Sequence, residues 1–209
     1  MAIDTFTNLK TAIGNWSDRA DFITTYGDDY VTLADARVRK DLARAQIRVR
    51  EMVTRADLTP SSGVCTLPSD FMAMIAVQCR ASDPTVLTYK PVSWLNEAYP
   101  DGASGTPAYY GIEGGSLYMF PLTTSDIRIV YYAYPAALSA DNEENWLLTK
   151  YPDIYLYAGL VELKAHEQDA EGMQHWISML TAAVDGLRDS SFGADVSHGT
   201  TMGASAYAT

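Results

Sequence analysis

The sequence predicts an α+β protein, a helical bundle built from both chain ends with an antiparallel β-sandwich or small barrel inserted between them. Three observations lead there. Apolar residues recur at helical spacing over about the first 45 positions, short β-prone runs parted by Gly and Pro fill the chain from about Val49 to Pro135, and helical spacing returns after Pro135. The chain then divides into residues 1–47 and 137–190 as two parts of the bundle, 48–136 as the β-domain and 191–209 as a C-terminal tail.

In the first helix Leu9, Ala12, Ile13 and Trp16 are spaced to share one face, behind Thr5 or Thr7 as N-cap. Gly27 is expected to break the pattern, with a second helix following Asp28 and Asp29 and burying Tyr30, Ala34, Val38 and Leu42. Strands are expected over Met52–Leu58, Val64–Leu67, Met74–Arg80, Thr85–Tyr89, Tyr109–Glu113, Ser116–Phe120 and Ile127–Tyr134, with one helical turn at Trp94–Tyr99. Gly114 and Gly115 form a two-residue link that closes a hairpin, because glycine takes positive φ without a steric penalty. Asp141, with Glu144 three residues on, reads as a capping box for a short helix at Trp146–Thr149.

Pro152 and Asp153 suit the first turn of the next helix. Its Ile154, Tyr157, Ala158, Leu160, Val161, Leu163 and Ala165 leave little polar face, which predicts burial on several sides. Gly159 in its interior predicts a neighbouring backbone packed close. The last helix carries an apolar stripe of Met173, Trp176, Ile177, Leu180, Val184 and Leu187. Residues 193–209 are small and polar with no apolar period, and predict a flexible tail in the isolated monomer.

Composition bounds the function. A chain of 209 residues with 47% hydrophobic positions can bury about 70% of its unfolded surface. No apolar run approaches the ~18 residues that cross a bilayer, and Asp4 follows Met1-Ala2-Ile3 where a secretory signal needs a basic then an apolar stretch. Neither membrane insertion nor secretion is expected, and synthesis in a cytosol is. Cys65 and Cys79 are expected as buried, reduced thiols.

The net charge of −11 opposes non-specific adhesion to nucleic acid or anionic lipid. It is unevenly placed. Residues 37–55 hold Arg37, Arg39, Lys40, Arg44, Arg48, Arg50 and Arg55 against Asp41 and Glu51, a net of +5, leaving −16 for the remainder. Such a strip is either a solvated helical face or a surface that meets acidic groups on another protein.

The common chemical signatures are missing: there is no GxxxxGK[ST] loop, GxGxxG fingerprint, HExxH helix, GxSxG elbow or paired CxxC. His166 and His175 lie nine residues apart, which does not bring both onto one helical turn, and are expected at the surface rather than on a metal; His198 falls in the tail. Asp141, Glu143 and Glu144 are bunched at one helix start, where they favour the helix dipole, rather than set across a cleft as glycosidase carboxylates must be. Tyr109, Tyr118, Tyr131 and Tyr132 fit a half-buried sheet, so packing accounts for them before stacking on sugars or bases does. No cofactor, metal or catalytic residue is predicted.

The order of segments resembles the phage head-to-tail adaptor (connector) family of the tail tubular protein A type. The likeness rests on Ala12-Ile13-Gly14-Asn15-Trp16, on Ala34-Asp35-Ala36-Arg37-Val38, and on RVREMVTRADLTPSSGVCTLPSDF at 48–71. It continues through Gly105-Thr106-Pro107-Ala108-Tyr109-Tyr110, IEGGSLYMFP at 112–121 and NWLLTKYPDIYLYAGLVE at 145–162, spanning roughly residues 6–190. The resemblance implies a helical bundle with an inserted β-domain whose copies form a ring, commonly of twelve, beneath the portal protein. It implies a virion structural protein at the head-to-tail junction, assembled in the host cytoplasm, which seats the next tail or nozzle protein and keeps a channel through which DNA leaves without specific binding. It implies no reaction, and it makes the terminal segments candidates for docking on the portal. The candidate interface residues are Arg37, Arg44, Arg48 and Arg50 on the basic strip and Tyr207 in the tail.

The alternative function is a glycan-binding or glycan-cleaving tail component. There Trp94, Tyr99, Tyr109 and Tyr110 would form a stacking platform beside an acidic pair such as Asp101 and Glu113. That reading predicts exposed aromatics in a groove, whereas the adaptor reading predicts aromatics that are buried or shared between subunits.

Overall fold

The computed structural model describes residues 2–81 and 84–199, with side chains described through Asp189. The fold is α+β, and the chain separates into two units, one formed by Met1–Glu51 with Pro135–Thr209 and the other by Met52–Tyr134.

In the helical unit, α1 (Phe6–Ser17) is capped by Thr5, whose hydroxyl accepts from the Asn8 amide at 3.1 Å. Leu9, Ala12 and Ile13 are buried as their spacing predicts, but Trp16 is 56% exposed. The break between the first two helices falls at Asp18, which takes a left-handed conformation (φ 55°), and not at Gly27. Helix α2 (Ala20–Arg44) runs straight through Gly27. A Cβ there would stand 3.2 Å from both Ile23 and Lys10, so this glycine lets the side chain of Lys10 on α1 lie close against α2. Tyr30, Ala34, Val38 and Leu42 form the buried stripe of α2.

After residue 135 the chain forms α4 (Trp146–Lys150), α5 (Pro152–His166) and α6 (Ala170–Gly199). The short helix is capped by Asn145, whose side-chain oxygen accepts from the Leu148 amide at 2.8 Å; Asp141 lies too far upstream to reach that first turn. Pro152 opens α5, which packs against α1, α2, α4 and α6. A Cβ at Gly159 would lie 2.3 Å from Ile13 Cδ1, so what packs close is the isoleucine side chain of α1 rather than a backbone. Helix α6 buries Leu180, Val184 and Leu187 and continues to Gly199, into the segment whose composition predicted a tail. A helix already several turns long extends at little further entropic penalty, so weak local patterning does not stop it.

The second unit is built from β1 (Val53–Leu58), β2 (Val64–Thr66), β3 (Phe71–Cys79), β4 (Thr85–Val86), β5 (Thr88–Tyr89), α3 (Val92–Ala98), β6 (Tyr109–Glu113), β7 (Ser116–Phe120) and β8 (Ile127–Ala133). These form two four-stranded sheets of order β1-β8-β3-β4 and β2-β7-β6-β5, with no closed barrel. They share one core in which Val77, Cys79, Ile127, Ile129 and Tyr131 of one sheet join Cys65, Leu117 and Met119 of the other. Both cysteines are free and buried. The hairpin closes as predicted, with Glu113 opposite Ser116 and positive φ at Gly114 and Gly115 (58° and 77°).

The sheets are not wholly antiparallel. The stretch expected as one strand at Thr85–Tyr89 divides at buried Leu87, whose N–H goes to Val77, and the second half pairs parallel to β6. Parallel neighbours need a crossover, and α3 supplies it, starting two residues before the predicted turn and packing Leu95 down onto Gly111.

Candidate protein interface

The basic window does not form one helical strip: Arg37, Arg39, Lys40 and Arg44 lie on α2, Arg48 and Arg50 beyond its end, and Arg55 on β1. Arg39 turns inward, and its Nε donates to Asp35 at 2.8 Å while Nη2 donates to the Pro135 carbonyl at 3.1 Å. Asp35 also accepts from the Tyr155 hydroxyl at 3.0 Å, and that hydroxyl accepts from Asn145 Nδ2 at 2.9 Å. The same amide donates to the Ala136 carbonyl at 2.8 Å. This connected set, in which Asp35 and Tyr155 are 120 residues apart and Arg39 and Pro135 are 96 apart, ties the re-entering chain at Pro135–Ala136 to α2 and α5. Burial raises the Asp35 carboxyl above its ordinary value, opposed by the Arg39 charge and the Tyr155 hydrogen bond, and burial likewise raises the Tyr155 phenol. Among the described residues no buried side-chain polar atom lacks a partner.

Arg37 is half-buried and pairs with Glu162 of α5 at 2.6 Å. Lys40, Arg44, Arg48 and Arg50 are exposed. Arg44 edges a hollow of about 220 Å³ between α2 and α6, facing Asp41, Asp185 and Arg188. Burial raises the Asp41 carboxyl there against the pull of Arg37 and Arg44. Arg50 sits in a short 3-10 turn (Arg50–Met52) beside Glu51, which is paired with Lys150. Tyr207 lies outside the described residues, as does the end of the tail.

Beside this charged edge runs an apolar one. Leu33 is 51% exposed and Tyr26 40%, and with Tyr30, Ala165, His166 and the acidic Asp29 and Glu162 they line a hollow of about 350 Å³ between α2 and α5. His166 is exposed, stacks on Phe22 at 5.2 Å and meets the Tyr30 hydroxyl through Nδ1 at 2.6 Å. Arg19 covers the Phe22 ring at 3.4 Å and pairs with Glu167 at 2.5 Å. The sequence reading passed over Tyr26 and Leu33. The signal was present, because Leu33 is a large apolar residue that falls off the four-residue stripe of Tyr30, Ala34, Val38 and Leu42.

The aromatics of the glycan alternative are engaged with one another. Trp94 meets Tyr109 edge to face at 5.4 Å with Lys90 over its ring, Tyr99 stacks on Phe120 at 5.8 Å, and Tyr110 is buried. Trp94, 38% exposed, and Tyr99 fasten α3 to the sheet through Tyr109 and Phe120. Among the described residues no three His, Cys, Asp or Glu side chains converge as metal ligands, and no helix is long and apolar enough to cross a membrane.

Exposed arginines beside apolar side chains are a composition common in surfaces that contact other proteins. Among protein-family models, that of the SU10 adaptor protein family matches residues 4–201. The chain belongs to the SU10 adaptor protein family. It is accordingly a phage head-to-tail adaptor by family, which makes it a structural component of the virion. The match takes in both units and reaches past Asp189, the last described side chain of α6. No curated protein matches the adaptor chain.

Proposed function

We propose that this adaptor is a non-catalytic subunit of a homo-oligomeric ring of twelve copies beneath the portal protein, where it seats the tail or nozzle protein and keeps a channel open for genome exit. The family match over residues 4–201 carries the reading. The net charge of −11 supports it. A ring of ~12 copies gathers on the order of −130 charges, and an electronegative wall repels DNA phosphates and lets the genome slide without specific binding. Assembly takes place in the host cytoplasm, and the exposed Arg44, Arg48 and Arg50, with the C-terminal segment that holds Tyr207, make the contacts to neighbouring proteins. Arg37 backs that surface through Glu162.

The test is the mass of the full chain alone and mixed with its portal, repeated for the double variant Arg44→Glu, Arg48→Glu. The expected result is a ring-sized species in the mixture that the charge reversal weakens at low salt while thermal melting is unchanged. A full-strength assembly by the reversed variant removes the strip from the proposal. Monomers under every condition remove the ring.

A further inference from the structure

Twice in the helical unit an aromatic ring and a carboxylate share one cation. Lys10 of α1 lies 4.5 Å from the centre of the Phe6 ring, and its ammonium donates to Asp28 of α2 at 2.6 Å. Arg19 covers the Phe22 ring at 3.4 Å and pairs with Glu167 at the end of α5. One and two turns beyond Phe22, Tyr26 and Tyr30 line the hollow between α2 and α5 with Asp29, Leu33, Glu162 and His166. The ingredients are again rings and carboxylates. Here, among the described residues, no Lys or Arg lines the hollow or stands over either tyrosine. Asp29 is exposed and makes no hydrogen bond or ion pair among the described residues. Glu162 gives Oε1 to Arg37 at 2.6 Å, and Arg37 lines the adjoining hollow with Lys40 and Asp41. The other Glu162 oxygen accepts no hydrogen bond among the described residues.

We propose that this hollow is a socket for an arginine side chain presented by another protein. The carbon stem of the incoming arginine lies on Leu33 and Tyr26, as long basic side chains cover apolar surface while their heads stay polar. Its guanidinium faces the tyrosines and reaches the carboxylates of Asp29 and Glu162. Ring faces carry negative charge density, so rings and carboxylates together attract a cation and repel an acidic group. Arginine suits the site better than lysine because the planar guanidinium stacks on an aromatic face while its N–H donors point outward in the plane, and because it is more weakly hydrated. The filled site at Phe22 and Glu167 holds arginine in that way one turn away. The socket is opposite in sign to the exposed arginines assigned above to contacts with neighbouring proteins, and it exists on a single chain, so it does not depend on a ring. A neutral apolar segment and a free polycation are the other occupants that the experiment separates.

The experiment titrates the full chain at low salt with the peptide acetyl-Leu-Arg-Leu-amide and follows the His166 ring and Leu33 methyl signals by NMR. The same peptide with lysine, the same peptide with citrulline, which keeps the shape of arginine without its charge, and spermidine are titrated beside it. The arginine peptide is expected to shift both signals saturably, with lysine weaker and citrulline weaker by at least about fivefold. Asp29→Asn, a change at an exposed and unpaired residue, should weaken the arginine peptide by about two- to fivefold and leave citrulline binding and melting temperature unchanged. Tyr26→Leu keeps an apolar wall without the ring, and should weaken arginine more than citrulline. Equal binding of arginine and citrulline peptides would overturn the proposal in favour of a neutral groove. Spermidine shifting the same signals as strongly as the peptide would overturn it in favour of a free polycation, and tighter binding of lysine would overturn the choice of arginine. Full affinity in Asp29→Asn, or no shift up to about 10 mM peptide, would remove the socket. None of these results bears on whether the copies form a ring, which the mass measurement above decides separately.

Discussion

Gly159→Ala tests how tightly α5 is enclosed. In an open helix the change is favourable by about 1 kcal/mol, since alanine loses less backbone entropy. Here the added Cβ would lie 2.3 Å from Ile13 Cδ1 and 3.0 Å from its Cγ1, and Ile13 is fully buried. Carbon atoms rest at about 3.5–4.0 Å, so the overlap with Cδ1 exceeds about 1 Å and has nowhere to relax. Overpacking of this kind costs about 1–3 kcal/mol, which leaves a net loss of about 0–2 kcal/mol for the single variant. Ile13→Val removes the offending Cδ1 at a loss of about 0.5–1.5 kcal/mol on its own. If the close contact is the cause, the double variant recovers, because the new methyl occupies the space the old one left, and the coupling energy is at least about 1 kcal/mol. Urea midpoints of the four proteins at constant m give that cycle. Additivity within about 0.3–0.5 kcal/mol would refute the reasoning and show that α1 and α5 are free to shift apart.

Two further outcomes follow from the polar contacts. Tyr155→Phe leaves Asp35 without one of its donors and should lower stability by about 1–3 kcal/mol at neutral pH in a denaturation curve. Because the folded Asp35 carboxyl is raised, its ionisation removes stability as pH climbs from the unfolded value through the folded one, and the Tyr155 donor stabilises the ionised form more than the neutral one. The Tyr155→Phe loss should therefore shrink in acid, and an equal loss at both ends would show that the hydroxyl does not serve the carboxylate. Asp57, on β1, has the opposite sign: hydrogen bonds from Arg128, at 2.8 Å, and then the charges of Arg128 and Arg80, hold it below its ordinary value. Its contribution is present above the unfolded pKa and is lost as pH falls through the folded one. The melting-temperature gap between wild type and Asp57→Asn should close on going from about pH 6 to about pH 3, and a gap that holds constant would remove Asp57 from the acid sensitivity of the β-unit.

What the amino-acid order determined by itself is local. Gly114 and Gly115 set the hairpin because only their φ range fits the turn, Pro152 starts α5 because its missing N–H is unneeded there, and the four-residue stripe from Tyr30 to Leu42 marks the buried side of α2. The α+β class and the change of period near residues 50 and 135 were legible for the same reason: periodicity is a property of neighbouring residues. The tertiary structure alone decided the rest. Gly27 reads as a helix breaker until the Lys10 side chain of α1 lies against it, and Arg39 reads as part of a surface strip until Asp35 and the Pro135 carbonyl draw it inward. Asn145 takes the cap from Asp141 while its amide holds Ala136 and Tyr155. The candidate interface follows the same rule. Exposed arginines were readable one by one, but the groove between α2 and α5 joins side chains from helices far apart in the chain. Only packing brings them to one surface, because burial depends on which elements meet and not on the order in which they were written.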